Sequence, residues 1–141
     1  LQSGATPRRS AVGWDSNRMN MVLAVLEARY GLSFSTAEVY LNVSGGYRIT
    51  DPGADLAVAA ALVSALANKP VPPDCVAFGE ISLSGEVRPI AHMGLRVKEA
   101  AKLGFKVAIV PKDLDEAPSG IRLSRQGNLT SLIDRLIKDA D

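Results

Sequence analysis

The chain has 141 residues, 47% apolar and 22% charged, with a formal net charge of +1. That size and balance suit one soluble globular domain with a real core. They exclude an overall electrostatic pull toward nucleic acid, so any basic surface must come from clustering. No apolar run approaches the roughly 20 residues that span a bilayer, and no secretory signal is seen. The one cysteine, Cys75, cannot form an internal disulfide. Without a cluster of metal ligands, a reducing, cytoplasmic compartment is expected. The first residue is Leu1, not Met, so a piece of a longer protein is expected.

Residues 1–7 read as a linker or ragged end, and residues 8–141 as one domain. Ser10–Trp14 reads as a first strand. Asp15 or Ser16 can cap a helix over Asn17–Tyr30, with Met19, Val22, Leu23, Val25 and Leu26 on its apolar face and Gly31 at its end. Ala37–Val43 alternates, with Val39, Leu41 and Val43 on one side, as a half-buried strand does. Gly45-Gly46 reads as a turn, and Tyr47–Thr50 as the returning arm of a hairpin. Asp51 or Asp55 can cap a helix that runs to about Asn68. It is apolar all round, which predicts burial at the centre of the fold. Three prolines make Lys69–Pro73 a loop.

Asp74–Pro111 organises the chain. Cys75–Phe78 and Val107–Val110 read as buried strands. Between them, Glu80–Leu83, a Ser84-Gly85 turn and Glu86–Arg88 form a hairpin. A helix over Met93–Leu103 follows, with Met93, Val97, Ala100, Ala101 and Leu103 inward and Gly104 as its left-handed cap. Ile121–Ser124 reads as a short edge strand. Asn128 can cap a last helix with Leu132, Ile133, Leu136 and Ile137 inward.

Four stretches, PRRSAVGWDSNRMNMVLAVLEARYG, NVSGGYRITDPGADLAVAAALVSAL, FGEISLSGEVRPI and RVKEAAKLGFKVAIVP, resemble the C-terminal domain of the bacterial DNA-repair family RadA, also called Sms. The likeness covers about residues 7–137. More distantly, the same stretches resemble the proteolytic domain of Lon proteases. The resemblance implies a Lon-like α+β fold, a mixed sheet packed with helices, related to the second domain of ribosomal protein S5. It also implies a zinc finger and a RecA-like ATPase ahead of this domain. ATP, Mg and Zn belong to those missing parts, and no cofactor or metal is expected in this one: the chain has no CxxC pair and no GxxxxGK[ST] loop.

A Lon peptidase needs a serine nucleophile and a lysine base. Register with that family places glycine at both positions, Gly53 and Gly94. Ser64, Ser82, Ser84 and Lys98 offer no replacement dyad. His92, the only histidine, has no nucleophile motif near it. No peptidase chemistry is expected. Arg48, after Gly45-Gly46, and Arg88, before Pro89, stand on short stiff turns. Arg8, Arg9, Arg96 and Lys98 are weaker candidates, and Lys102 and Lys106 lie nearby. Each alone reads as an ordinary solvated residue. Together, and with a family that acts on DNA, they read as a phosphate-binding rim, because the guanidinium fork fits phosphate. Tyr47 either stacks on a base or packs on its turn. Glu80 and Glu86, with Asp74 nearby, read as ion-pair partners more readily than as an acid–base or metal pair. Trp14 reads as a core or interface anchor, and Trp14 and Phe34 as apolar candidates for assembly into the hexameric ring that the resemblance implies. The expected function is a non-catalytic DNA-binding and scaffold domain. The alternatives are a purely structural oligomerisation domain and, less favoured, a Ser-Lys peptidase.

Overall fold

The computed structural model describes residues 7–114 and 116–137. They divide into two compact units, one ending at Asp51 and the other beginning at Pro52.

In the first unit, Arg9–Val12 forms β1, Ser16–Tyr30 forms α1 and Val39–Asn42 forms β2. β1 and β2 pair in parallel, Ser10 beside Tyr40 and Val12 beside Asn42, and α1 is the crossover that a parallel pair requires. The first strand stops short of Trp14 because Gly13 turns the chain at φ 86°. A side chain at Gly13 would come within 2.6 Å of the Tyr47 carbonyl oxygen. The Asp15 carboxylate caps α1, accepting from the Asn17 N–H at 2.9 Å. The five predicted apolar residues of α1 are buried, each contributing about 2 kcal/mol. Gly31, in the left-handed region, ends the helix.

Two expectations fail in this unit. No hairpin follows Gly45-Gly46, because the strand partner of β2 is β1. Ser44–Gly46 is a single 3-10 turn, and two successive left-handed glycines (φ 86° and 73°) turn the chain away from β2. Tyr47–Thr50 is not a strand. Its Ile49 N–H instead donates to the Gly13 carbonyl at 2.7 Å. Trp14 and Phe34, each only 4% exposed, are buried: Trp14 is the core residue that one of its two readings gave, and neither is an exposed candidate for assembly.

In the second unit a 3-10 turn at Pro52–Ala54 leads into α2 (Asp55–Ala67). β3 (Cys75–Ala77), β4 (Glu80–Ile81), β5 (Val87–Arg88), α3 (Met93–Lys102), β6 (Val107–Pro111), β7 (Arg122–Gln126) and α4 (Thr130–Ile137) follow. The predicted strand, hairpin, helix and returning strand are all present. β6 is the middle strand, parallel to β3 and to β7. It is buried from Ala108 to Pro111, which is why its sequence is an unbroken apolar run. α3 packs Met93, Val97 and Ala100 against Ala108, Val110 and Ile121. It ends as a Schellman motif: Phe105 N–H donates to Ala100 at 3.1 Å and Gly104 N–H to Ala101 at 3.1 Å. β7 runs two residues beyond the expected edge strand. The Asn128 side-chain oxygen Oδ1 accepts from the Thr130 N–H at 2.9 Å, as expected of a cap. Leu132 and Ile133 are buried, and the side chains of Leu136 and Ile137 lie outside the described residues. Among the described residues the strands form three small sheets, not one mixed sheet.

α2 departs from expectation. Leu56, Ala59, Ala60, Leu62 and Val63 are buried, but Ala57, Ala61, Ala65 and Leu66 are exposed. β3, β4 and α4 cover only part of its circumference. Ala54 takes its N-cap position without a side-chain bond. Asp55 is fully buried and accepts from the Ile81 N–H at 2.9 Å. Leu83 and Leu103 are exposed, the first in the hairpin turn and the second just past the last turn of α3.

Candidate nucleic-acid interface

Arg88 stands on the β4–β5 hairpin, opposite Glu80, while Ile81 pairs with Val87 and both are buried. Strand alternation then leaves Arg88 on the exposed side. The mount is stiff. The Ser82 N–H donates to the Glu86 carbonyl at 3.0 Å and the Val87 N–H to Gly127 at 3.0 Å. The Ser84 hydroxyl donates to the Glu86 carboxylate at 2.9 Å, so that carboxylate is tied into its own turn. Asp55 holds the other end of the hairpin through Ile81. Gly79 fits against the start of α2. Its N–H donates to Gly53 at 3.0 Å, and its carbonyl accepts from Leu56 N–H at 3.0 Å.

Arg48 lies in the first unit, exposed, on the irregular segment that follows the glycine turn. Beside it Tyr47 is 71% exposed. The Tyr47 ring lies over Gly45, where a Cβ would come within 2.7 Å of a ring carbon. The ring thus packs on its turn, the second of its two sequence readings, and its other side is exposed. Arg8 is exposed at the start of β1. Arg9 is engaged elsewhere: its guanidinium donates to the Ala37 carbonyl and, at 2.6 Å, to the Phe34 carbonyl. It ties the connection before β2 to β1.

In the second unit, the Arg96 side chain donates to Ala91 at 3.0 Å. Lys98 lines an open cleft of about 540 Å³ with Gly94, Asp113, Leu114 and Glu116. Those carboxylates make the cleft unsuited to a polyanion. Lys102 and Lys106 are exposed. His92 is exposed at the N-cap of α3, in the left-handed region at φ 62°, with no side-chain cap bond. Gly53 is buried. Gly94 is exposed on the first turn of α3, and a Cβ there would meet nothing within 4 Å. The candidates thus fall in both units, Arg8, Arg9 and Arg48 in the first and Arg88, Arg96 and Lys98 in the second. Among the described residues, no three His, Cys, Asp or Glu side chains gather to hold a metal ion.

Sequence reasoning missed Tyr40. It is 62% exposed on the outer face of β2, and its hydroxyl donates to the Glu38 carboxylate at 2.9 Å. That bond, with partial burial and the Glu38 charge, raises the hydroxyl above its usual pKa, and nearby Arg8 opposes the shift. The alternation of Glu38, Tyr40 and Asn42 had already placed this ring on the outer side.

A family model for subunit ChlI of Mg-chelatase matches residues 9–114. The chain belongs to that family. Among curated relatives, this ChlI-family chain is 54% identical over 133 residues to the DNA repair protein RadA of Brucella abortus, covering 93% of the chain and 28% of that relative. It is 60% identical over 107 residues to the DNA repair protein RadA of Rickettsia felis, covering 76% of the chain and 24% of the relative. It is 44% identical over 136 residues to that of Pseudomonas aeruginosa, covering 95% of the chain and 30% of the relative. The ChlI-family chain therefore spans less than a third of the length of these relatives. No helix among its described residues is long and apolar enough to cross a membrane.

Proposed function

We propose that this ChlI-family chain is a non-catalytic DNA-binding and ring-scaffold domain of a RecA-like ATPase that acts in DNA repair and recombination, on branched intermediates. The observation that carries the reading is the identity of 54% with a DNA repair protein RadA along 93% of the chain. In the first unit the proposed rim residues are Arg48, and Arg8 beside the exposed ring of Tyr40; in the second unit, described by itself, the proposed rim residue is Arg88. Arg9 drops to a structural role, since its guanidinium holds two carbonyls. The Lon-like fold belongs to the same proposal. The family's serine and lysine positions are Gly53 and Gly94, and glycine supplies neither a nucleophile nor a base. ATP, Mg and Zn chemistry is assigned to the parts of the longer protein outside this chain.

A net charge of +1 gives one copy little grip on DNA, whereas a ring repeats each rim arginine and adds weak contacts by avidity. The test is a set of DNA-binding isotherms at several salt concentrations on the ring-forming parent protein. Arg48→Ala and Arg88→Ala each lower the salt slope by about 1 and act alike on all sequences. Thermal stability changes little, because both side chains are exposed. A double variant that binds as tightly as the wild type, with the same slope, leaves the alternative of a purely structural oligomerisation domain. Sustained peptide hydrolysis that survives removal of contaminating proteases would instead restore the peptidase reading.

A further inference from the structure

We propose that the outer edge of β3 is a docking site for an extended, uncharged peptide strand supplied by another protein. The inference goes beyond the DNA-binding reading and does not depend on it.

Among the described residues β3 is the outermost strand of its sheet, with β6 on one side only. The hydrogen-bond parity fixes which groups face outward. Phe78 N–H donates to the Ile109 carbonyl and Val107 N–H to the Asp74 carbonyl. In a parallel register of Cys75 with Val107 and Ala77 with Ile109, the even-numbered residues therefore bond to β6. Cys75 and Ala77 direct their backbone groups away from it. The Cys75 N–H closes a local turn on the Pro72 carbonyl at 3.3 Å. Among the described residues no other backbone group bonds to the Cys75 carbonyl or to either group of Ala77, and both residues are half-buried.

Further along, the same edge is already closed. Gly79 has the parity of Ala77, and its two groups are taken by Gly53 and Leu56. The open stretch is thus short and bounded, a place for one segment of about three residues and not a template for indefinite sheet growth.

Both faces beside this edge are apolar. On the α3 side, Val76, Phe78, Leu95, Leu103 and Phe105 line an open groove of about 370 Å³, whose lining also includes Arg96 and Glu99 but exposes mostly apolar surface. Leu95 is 66% exposed there and Leu103 68%. On the α2 side, Ala57, Ala61, Val71 and Ala77 line a second groove, of about 240 Å³. An added strand sends alternate side chains to opposite faces, so one set enters each groove while its backbone pairs with Cys75 and Ala77. Backbone pairing supplies affinity and the two grooves select apolar side chains, which is the physics of strand addition. These two grooves flanking one free edge specify an extended strand; a helix would reach one groove and leave the edge unpaired.

The chain's single cysteine is a built-in reporter, because Cys75 lies on this strand and lines the second groove. The probe is an acetylated, amidated peptide of alternating valine and threonine with a lysine at each end. Its control has alternate backbone nitrogens methylated, which keeps the side chains and removes the donors. The expected result is slower hydrogen exchange at the Ala77 amide and at least a several-fold slower alkylation of Cys75 with the plain peptide, and neither with the methylated one. Ala77→Pro removes an outward donor that the β3–β6 ladder does not use, and is expected to abolish the peptide effect. If that variant does not fold, the methylated control decides alone on the wild-type chain. Equal protection by both peptides, or by neither at millimolar concentration, overturns the proposal. Protection of Ala77 that grows with protein concentration and needs no peptide also overturns it, by assigning the edge to a second copy of the chain.

Discussion

Asp55 makes one bond whose loss can be read directly. Asp55→Ala removes the acceptor of the buried Ile81 N–H and is expected to cost about 1–3 kcal/mol. Asp55→Asn keeps an oxygen in place and costs less. The urea midpoint, with an unchanged slope, measures both. Cys75 offers a second test. Burial, with Asp74 next to it, raises its thiol pKa. Alkylation at neutral pH is therefore slower than for a free thiol, and its rate rises only as pH passes the ordinary thiol range. The folded state holds its proton to higher pH than the unfolded chain, so this group's contribution to stability is present below the unfolded pKa and is lost as pH rises. An alkylation rate that follows a free thiol through neutral pH contradicts this. At this scale the sequence was read well where a residue had one local job, as with Asp15 and Asn128. It was misread where the job was distant. Asp55 looks like a helix cap because its partner lies 26 residues away in the hairpin, and Arg9 looks free because its acceptors are backbone carbonyls, which no pattern of side chains displays.

Helices and strands with a local period were legible. α1 shows a broad apolar face closed by Asp15 and Gly31, and each of those signals matches its structure. The β4–β5 hairpin and the apolar run of β6 were legible for the same reason. The arm at Tyr47–Thr50 was not, because two adjacent glycines permit several turns and only the pairing of β2 with β1 decides among them. α2 misled through composition: small apolar residues all round a helix are compatible with an open stripe of alanines, and alanine exposes little apolar area. Asn128 tests this scale. It caps α4 and forms an isolated bridge with Glu86, so Asn128→Ala is expected to cost about 1 kcal/mol. Loss of the cap should show as faster amide exchange in the first turn of α4 than in α2. Equal exchange in the two helices would falsify the assigned role.

At the scale of the molecule, the boundary between the two units falls at Asp51 and Pro52, just after the exposed, strand-free residues Tyr47 to Thr50. Chymotrypsin at low dose is expected to cut first after Tyr47 and only later at Tyr40, which β2 holds in its ladder with β1. Mass spectrometry of the first fragments decides it, and an initial cut at Tyr40 contradicts the structure. The α/β composition and the strand–hairpin–helix–strand unit were readable from the chain. The boundary was not, because Asp51-Pro52-Gly53 reads in the sequence as an ordinary break before a helix. The central place of β6 also sets an order of assembly during synthesis. The first unit has both its strands once Asn42 has left the ribosome. In the second, β3 emerges before the hairpin, α3 and β6 exist, and it stays unpaired until Val107 arrives. A nascent chain stalled in that interval displays both edges of β3 at once, and that interval is when it is most exposed to mispairing with a neighbouring chain.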